Sequence, residues 1–319
     1  MRFLFCFILL SLFQNCKNAA EQQMMHQEEE QIISRPTLSF TFDDGITSDI
    51  LDYKFEVWND SILSALATHE LKATFFVTGS NKLDTKGRYL LQSWNDAGHQ
   101  IANHTYTHPN FNNEKLTTDD FEQELLRTDS VISTYTNYAP LFRFPYLKEG
   151  AAVQQVNGYR AVLSKHNYKN GSVTIDASDW YVNSELIKSI RKNGYENAQV
   201  EKYKAYYIEH LLDRAKYYED LAFQLTNRHI PHTLLLHHNL TSALFLDDLI
   251  KTFKSNGWQT IDAPTAFQDS FYNQLPDIVP AGESLVWSLA KASGEYEGVL
   301  RYPAEDSRYE IPKMKAFGL

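Results

Sequence analysis

The chain contains very little cysteine, which rules out two common kinds of structural support. Only Cys6 and Cys16 are cysteines among its 319 residues, and both lie near the N-terminus. The remainder of the chain therefore has neither a disulfide framework nor a zinc site made of thiolates. Any metal site in the folded body must use histidine and carboxylate side chains.

Basic residues are also scarce relative to acidic ones. The chain has 30 Lys and Arg residues against 40 Asp and Glu residues, so its formal net charge is −10. An acidic surface repels phosphate backbones, and nucleic acid is therefore not an expected partner. The hydrophobic share of 43% is ample for a large buried core.

Long hydrophobic runs are lacking except at the N-terminus, where Phe3 to Phe13 are almost all apolar. This run is too short to span a bilayer and is typical of an export signal. We therefore predict that residues 1–16 are a signal peptide and that the protein works in the periplasm or at the cell surface. Cys16 is either the lipid-attachment site of a lipoprotein-type signal or an incidental residue in a cleaved one. Such a lipid would be the sole membrane contact, and the polar residues 17–34 would be a tether.

Short apolar runs alternate with amphipathic stretches through residues 35–269. This order is typical of βα units with parallel strands, and it fits an open doubly wound sheet or a closed barrel. Residues 184–228 are charged and rich in Tyr. We expect them to form a helical insertion, either a lid or ordinary barrel helices with long connections. Residues 270–319 have little periodicity and are expected to pack as a tail on the barrel surface.

Two adjacent carboxylates, Asp43 and Asp44, end the first apolar run and precede Gly45. Parallel β/α folds build their active sites where strands end. Neighbouring carboxylates repel each other unless a metal neutralises one and a basic partner the other. An Asp-Asp-Gly turn without function is the alternative for this motif alone.

A pair of histidines spaced four apart, His104 and His108, follows another apolar run and precedes Pro109. On one helical turn this spacing would put both imidazoles on one side, where they can hold one metal ion. Eleven histidines occur in the chain, so pairs also arise by chance.

Three further polar clusters follow apolar runs. They begin at Arg143, which can pair with a carboxylate of a neighbouring strand, at Asp176, and at His237. Together the five clusters contain what a metal hydrolase needs. One carboxylate and two imidazoles can hold the ion, a second carboxylate can act as base, and a sheltered histidine can act as acid.

These five clusters resemble the five motifs of the polysaccharide deacetylases with a NodB-homology domain, carbohydrate esterase family four. The matching motifs are the paired Asp, His-x-x-x-His-Pro, Arg-x-Pro-Tyr, Asp-Trp and Leu-x-Leu-His. The resemblance covers about Arg35 to Phe267. It implies an α/β fold of parallel strands, a distorted (β/α) barrel with fewer than eight complete units. The helical insertion expected from residues 184–228 would come before the last catalytic strand.

The resemblance also implies roles for ten residues. The metal ligands would be Asp44, His104 and His108, and Asp43 would be the general base tethered by Arg143. The general acid would be His237, oriented by Asp179. The backbone N–H of Tyr146 would help to hold the oxyanion, and Trp180 and Leu235 would line the acetyl pocket. Leu147 stands where members of the family often have Gly, and the segment between Trp180 and His237 is long, so the substrate groove need not follow the family pattern.

The function that we predict is hydrolysis of acetyl groups from an acetylated glycan, with one divalent metal ion as cofactor. We expect zinc, although cobalt and nickel accept the same ligands. An N-acetyl amide is favoured over an O-acetyl ester. The alternatives are an amidohydrolase of small nitrogenous compounds and a catalytically dead barrel that binds glycan.

Overall fold

The computed structural model describes residues 35–301 and 305–319. The predicted signal peptide with Cys16 and the predicted tether lie outside the described residues. Within the described ranges, no helix combines the length and the apolar character that crossing a membrane requires.

The described residues form nine strands and ten helices, with three short 3-10 turns. The strands are β1 (Thr37–Asp44), β2 (Thr74–Val77), β3 (Gln100–Asn103), β4 (Tyr138–Phe142), β5 (Lys148–Gly150), β6 (Lys169–Asn170), β7 (Pro231–His237), β8 (Gln259–Thr260) and β9 (Ala281–Gly282). The helices are α1 (Phe55–Thr68), α2 (Thr85–Asp96), α3 (Thr118–Ile132), α4 (Val153–Lys165), α5 (Asp179–Asn193), α6 (Val200–Thr226), α7 (Leu240–Ser255), α8 (Ala263–Ala266), α9 (Leu285–Ser293) and α10 (Ser307–Phe317).

Seven parallel strands form the central sheet, in the order β6-β4-β3-β2-β1-β7, with β8 also paired to β1. The sheet closes on itself after β6, where Ile175 forms a single parallel bridge to Leu234 of β7. The prediction of a distorted (β/α) barrel with parallel strands is therefore confirmed. The apolar run Val173–Ile175 alone would predict a strand, and in the structure it contributes only this bridge.

The alternation of side chains along β1 determines which residues face the barrel interior. Leu38, Phe40 and Phe42 belong to the main core beneath the surrounding helices. The intervening polar residues point the other way, and Thr41 there accepts a hydrogen bond from Arg143 at 2.9 Å. This period of two places Asp43 on the interior face at the carboxyl end of β1.

The long segment before β7 is helical, as predicted. It comprises α5 and the 27-residue α6, which packs against α5, α7 and α9. Among the described residues, none of α6 lines the cavity at the carboxyl ends of the strands.

One of the longer barrel helices, α4, was not predicted at all. It buries Val156, Tyr159, Val162 and Leu163 on one face. These positions have helical spacing, but Gln, Asn, Ser and a glycine interrupt the apolar pattern. Because polar residues interrupt the pattern, the sequence did not distinguish this segment from a loop.

Candidate active site

A cavity of about 480 Å³ opens at the carboxyl ends of the barrel strands. This is the end at which parallel β/α barrels carry their active sites. Eight of the ten residues singled out above line it directly: Asp43, Asp44, His104, His108, Tyr146, Trp180, Leu235 and His237. The remaining two, Arg143 and Asp179, lie behind this lining, each in contact with one of its members.

Asp44 reaches the same cavity as Asp43 because the strand alternation breaks at this residue. Its backbone adopts φ 79°, in the left-handed region, and Gly45 follows with φ 71°. A Cβ at Gly45 would lie 2.9 Å from the ring of Trp94, so both the conformation and the space demand glycine. The Asp-Asp-Gly motif is therefore a turn, and this turn directs two consecutive carboxylates into one cavity.

His104 and His108 do not lie on a helical turn, and the prediction was wrong on this point. They belong to an irregular loop after β3 in which Thr105 and His108 have φ 67° and 60°. The loop folds back on itself because the hydroxyl of Thr105 accepts the N–H of His108 at 3.1 Å. The two rings nevertheless come together, with centroids 4.9 Å apart.

The two imidazoles and Asp44 are arranged as ligands for one metal ion. The Nε2 atoms of His104 and His108 lie 3.8 and 3.5 Å from Oδ1 of Asp44. Two ligands at about 2.1 Å from a tetrahedral ion lie about 3.4 Å apart. The three side chains can therefore hold an ion with little movement, and they are the one such group found among the described residues.

The hydrogen bonding of His104 leaves the correct nitrogen free for a metal. Its Nδ1 lies 2.8 Å from the backbone oxygen of Arg143. A carbonyl oxygen can only accept, so Nδ1 carries the proton and Nε2 keeps its lone pair. His108 is also neutral near pH 7, because burial and the neighbouring His104 lower its pKa to about 4.

Electrostatics around Asp44 favour its charged form. Burial raises the pKa of this carboxyl, but the surrounding imidazoles, His237 first, outweigh burial and hold the pKa below its ordinary value. A metal needs an ionised carboxylate, and Asp44 supplies one near pH 7.

Asp43 is held by a buried guanidinium. Nη1 of Arg143 lies 2.7 Å from Oδ1 of Asp43, and the two residues are only 1% and 3% exposed. Nε of Arg143 donates to the backbone oxygen of Gly171, and its guanidinium stacks 3.8 Å above the ring of Phe76. Arg143 follows β4, which is separated from β1 by two strands, so the pair forms across the barrel interior and not between neighbouring strands as predicted.

His237 ends β7 and is paired with Asp179, the first residue of α5. Nδ1 of His237 lies 2.6 Å from Oδ1 of Asp179, and the backbone N–H of His237 donates to Oδ2 at 2.8 Å. Burial lowers the pKa of His237, but Asp179 and the more distant Asp44 and Asp43 raise it to about 10. The imidazole is therefore protonated near neutral pH, although a cation in the site would offset part of this rise.

The neighbouring His238 points away from the cavity. It is fully buried, its Nε2 lies 3.0 Å from Oδ1 of Asn59, and its ring packs against Trp58 and Trp94. The strand alternation therefore assigns His237 to the cavity and His238 to the core.

Three apolar residues flank the centre. Tyr146 and Trp180 are 58% and 43% exposed and stand at the rim, while Leu235 is buried on the same face of β7 as His237, two residues before it. Tyr146 adopts φ 56° in the turn after β4, and its ring lies 4.7 Å from that of His108. The turn continues into Leu147, which also lines the cavity.

The sequence did not reveal several residues around this centre. Lys82 is fully buried behind Asp44, and its Nζ lies 3.4 Å from the backbone oxygen of that residue. Burial lowers the pKa of Lys82 to about 7. Nothing in the local sequence distinguishes this lysine from a surface one.

The C-terminal segment supplies the other unexpected residues. Strand β9 pairs antiparallel with β5, which brings Glu283 into contact with Lys148 at the cavity. Glu305 and Asp306 line the cavity as well. These residues lie in the region that we expected to be a surface tail, and pairing between segments so far apart in sequence has no local signal.

Sequence comparison covers the part of the chain that carries the three metal-ligand candidates, Asp43 and Arg143. Residues 31–171 match the model of the polysaccharide deacetylase family. The chain is 34% identical over 114 residues to the peptidoglycan-N-acetylglucosamine deacetylase of Bacillus cereus, covering 35% of this chain and 37% of that protein. It is 32% identical over 120 residues to the peptidoglycan-N-acetylglucosamine deacetylase PgdA of Listeria monocytogenes, covering 37% of this chain and 22% of that protein. The matched regions thus span well under half the length of these relatives.

Structural comparison extends the likeness beyond residue 171. The fold is similar to that of a mutant of BA3943, a CE4 family pseudoenzyme, with a TM-score of 0.50 and 19% sequence identity over 73% of this chain and 67% of that one. At 19% identity this likeness shows the fold alone.

Proposed function

Because residues 31–171 belong to the polysaccharide deacetylase family, we propose that this protein hydrolyses acetyl groups from a glycan at the cavity described above. The observation that carries the proposal is the convergence of three groups on that cavity. These are the Asp44–His104–His108 set, the carboxylate of Asp43 held by Arg143, and the imidazole of His237 held by Asp179.

We propose that Asp44, His104 and His108 hold one divalent metal ion. The ligand spacing, the free Nε2 of His104 and the absence of thiolates from the described body support this assignment. Zinc is the ion that we favour, with cobalt and nickel as substitutes. When bound, such an ion supplies Lewis acidity, which lowers the pKa of a bound water towards about 7 and polarises a carbonyl oxygen.

Asp43 acts as the general base. Its Oδ1 is engaged by Arg143, while its Oδ2 lies 3.7 Å from Nε2 of His104, on the side of the metal ligands. Oδ2 can therefore accept the proton of a water that attacks the acetyl carbon. The ion pair with Arg143 fixes the carboxylate in place.

His237 acts as the general acid. Its Nδ1 is committed to Asp179, so Nε2 is the nitrogen that can donate a proton to the leaving amine or alcohol. The raised pKa keeps the donor loaded near neutral pH. Asp43 and His237 stand side by side in the β1–β7 register, which puts acceptor and donor at the same depth of the cavity.

The surrounding residues hold the acetyl group. The backbone N–H of Tyr146 serves as a donor to the oxyanion, and Trp180 and Leu235 form the apolar walls of the acetyl pocket. Their positions around the metal ligands and His237 support these roles.

We favour an N-acetyl amide as the bond that is cleaved. An amine leaves only after protonation, and the His237–Asp179 pair is a well-oriented acid. Two relatives with matching segments are peptidoglycan-N-acetylglucosamine deacetylases, which supports the same choice. An O-acetyl ester remains within the reach of this apparatus, because a site that cleaves amides also cleaves the weaker ester.

We also propose that the protein acts outside the cytoplasm, exported by residues 1–16 and held to a membrane through a lipid on Cys16. An insoluble glycan is met outside the cell, and this location argues against the amidohydrolase alternative. The pairing of Asp43 with Arg143 and of His237 with Asp179 argues against the dead barrel, since glycan binding alone has no use for either pair.

The test measures acetate released from N-acetylglucosamine oligomers, peptidoglycan and acetylated xylan at equal acetyl concentration, with and without a chelator. We expect release from the N-acetylated glycans, loss with chelator, and recovery when zinc is restored. A clear preference for xylan, after correction for the lability of the ester, would overturn the amide assignment. No release from any glycan would overturn the proposed function.

A further inference from the structure

A buried chain of contacts leads from the last helix of the protein to Asp179. It starts at Glu310 on α10, passes through His210 on α6 and ends at the backbone of Ser178. Glu310 and His210 are 0% and 3% exposed, and neither lines the catalytic cavity. The mechanism proposed above uses neither residue.

His210 makes one contact with each ring nitrogen. Its Nε2 lies 3.2 Å from the backbone nitrogen of Ser178 and accepts that N–H. Its Nδ1 lies 3.0 Å from a carboxylate oxygen of Glu310. Because a backbone N–H can only donate, Nε2 is unprotonated and the ring proton is on Nδ1, facing Glu310. The carboxylate therefore lies beside the protonated ring nitrogen, although no hydrogen bond of regular geometry joins the two among the described residues.

Ser178 immediately precedes Asp179 and is the N-cap of α5, but its side chain makes no capping hydrogen bond. Its hydroxyl is also buried without a partner among the described residues. The backbone oxygen of Ser178 accepts from the first turn of α5, and its backbone N–H donates to His210, which ties the start of this helix to α6. Asp179 must keep both oxygens in place, since Oδ1 faces Nδ1 of His237 and Oδ2 accepts two hydrogen bonds.

Glu310 is itself held as a carboxylate. The hydroxyl of Tyr206 donates to its Oε2 at 2.9 Å, and Nη1 of Arg301 lies 3.5 Å from Oε1. Burial raises the pKa of Glu310, but its contacts with His210 and Tyr206 outweigh burial and leave the pKa below its ordinary value. A charged acceptor therefore faces Nδ1 of His210 at neutral pH.

We propose that His210 and Glu310 are positioning residues for the general acid. They fix the backbone at Ser178, and through it the orientation of the Asp179 carboxylate that holds His237. The C-terminal helix is thereby part of the catalytic apparatus, although it lies outside the segment that matches the deacetylase family. This inference rests on the proposed function, because it concerns the acid of that reaction.

The main test compares His210→Leu, which removes both contacts, with His210→Gln, which can accept from Ser178 and donate to Glu310. In the full-length, metal-loaded protein we expect His210→Leu to lower kcat about 10- to 100-fold, with KM changed less than about twofold, and His210→Gln to recover most of the loss. Glu310→Gln keeps the side-chain volume and is expected to lower kcat in the same direction by a smaller factor. If His210→Leu does not fold, the kcat of Glu310→Gln is the test of the positioning role.

The matched control is Glu219→Gln. Glu219 lies on α6. Like Glu310, it is a buried carboxylate in contact with a histidine, in this case His232 at 2.7 Å. It has no contact with Ser178 or Asp179. We expect this variant to lose stability and keep its kcat. If Glu219→Gln and His210→Leu lower kcat to the same extent, or if His210→Leu lowers stability alone, the positioning role is wrong.

A second readout does not depend on activity. The short contact between His237 and Asp179 should give a low-field proton resonance for Nδ1–H of His237, identified by its loss in Asp179→Asn. We expect this signal to shift or broaden in His210→Leu and to stay in Glu219→Gln. If the wild-type protein releases no acetate, the proposed function fails, while the resonance still tests the positioning. An unchanged resonance in His210→Leu overturns the inference whether or not the protein is active.

Discussion

Asp43 and His237 occupy directly opposed positions on the adjacent parallel strands β1 and β7, and each is held by its own oppositely charged partner. Arg143 lies 2.7 Å from Asp43, and Asp179 lies 2.6 Å from His237. The two partners come from different parts of the chain and do not share a hydrogen bond. Changes at one pair should therefore leave the hydrogen bonds of the other pair intact.

The metal assignment predicts that His104→Ala and His108→Ala each lose most of the bound zinc. Each substitution removes one of three ligands, and the remaining two cannot close the coordination shell. Metal content of the purified variants by elemental analysis is the measurement. His166→Ala is the control, since His166 contacts Glu122 away from the site. Undiminished metal in both ligand variants would sink the assignment.

Asp43→Asn is expected to keep the metal and lose about 10²–10⁴-fold in kcat, the usual contribution of a general base. The amide still accepts from Arg143 but leaves the guanidinium without a charged partner at 1% exposure. The free energy of unfolding should therefore also fall, by less than the about 3–5 kcal/mol typical of breaking a buried pair outright. Kinetics, metal analysis and denaturant titration check the three expectations. Near-normal turnover would exclude Asp43 as the base.

Substitution of the two adjacent histidines should have opposite consequences. His237→Ala is expected to lower kcat about 10²–10⁴-fold with little change in stability. His238→Ala leaves a cavity beside Trp58 and Trp94 and removes one of the two contacts of Asn59 Oδ1, which keeps its hydrogen bond from Trp94. It should therefore cost about 2–4 kcal/mol of unfolding free energy while the folded fraction stays active. The reverse result, an inactive His238→Ala and a normal His237→Ala, would show that the strand register is misassigned.

His99 predicts a loss of stability in mild acid. It is buried, and its Nδ1 accepts the N–H of Ala73 at 3.1 Å, so the folded protein needs the neutral ring. Burial and Lys72 lower its pKa from 6.5 to about 4. Between these values the unfolded chain binds a proton that the folded protein does not, so stability falls as pH drops from 6.5 towards 4, by about 3 kcal/mol in total.

The measurement for His99 is the free energy of unfolding as a function of pH, compared with His99→Asn. The asparagine oxygen can take the place of Nδ1 without titrating. We expect a visibly smaller slope between pH 4 and 6.5 in the variant. An identical slope would show that the acid lability arises at other groups.

The lipid anchor predicts that Cys16→Ser releases the protein from the membrane fraction after export. Cys16 would carry the acyl chains, and several chains anchor a protein firmly where one does so only marginally. Fractionation of cells that express each form is the measurement. Wild-type protein that is already soluble after export would leave simple secretion as the explanation.

The sequence predicted those parts of the site that depend on local patterns. Apolar runs with polar residues at their ends located Asp43, Arg143 and His237, because strand alternation and strand termini are written in neighbouring residues. The loop of His104 and His108 was misjudged as a helical turn. A helical turn and this loop both bring the two rings together. The contacts with Glu124 and Arg143, which come from other parts of the chain, favour the loop.

Residues brought in over long distances could not be predicted. Glu283 and the His210–Glu310 contact owe their positions to the packing of α6, β9 and α10 around the barrel. Lys82 is buried against the backbone oxygens of Asp44 and Thr78. Each of these residues looks like a surface residue in its own segment. The same applies to the closure of the sheet at Ile175, where one bridge replaces the strand expected from an apolar triplet. Local sequence carries little information about such pairings.

The position of β1 between β2 and β7 has a consequence for how the molecule is made. Strand β1 lies at the start of the domain, and its partner β7 is synthesised nearly two hundred residues later. The separation of Ser39 and His232, which share a hydrogen bond, is 193 residues. Until then β1 is an open sheet edge, rich in Phe and ready to pair with other chains. A shortened chain that ends near residue 171 would keep the whole family-matched segment and all three metal ligands, yet it should aggregate. The segment that matches the deacetylase family is thus not expected to fold by itself.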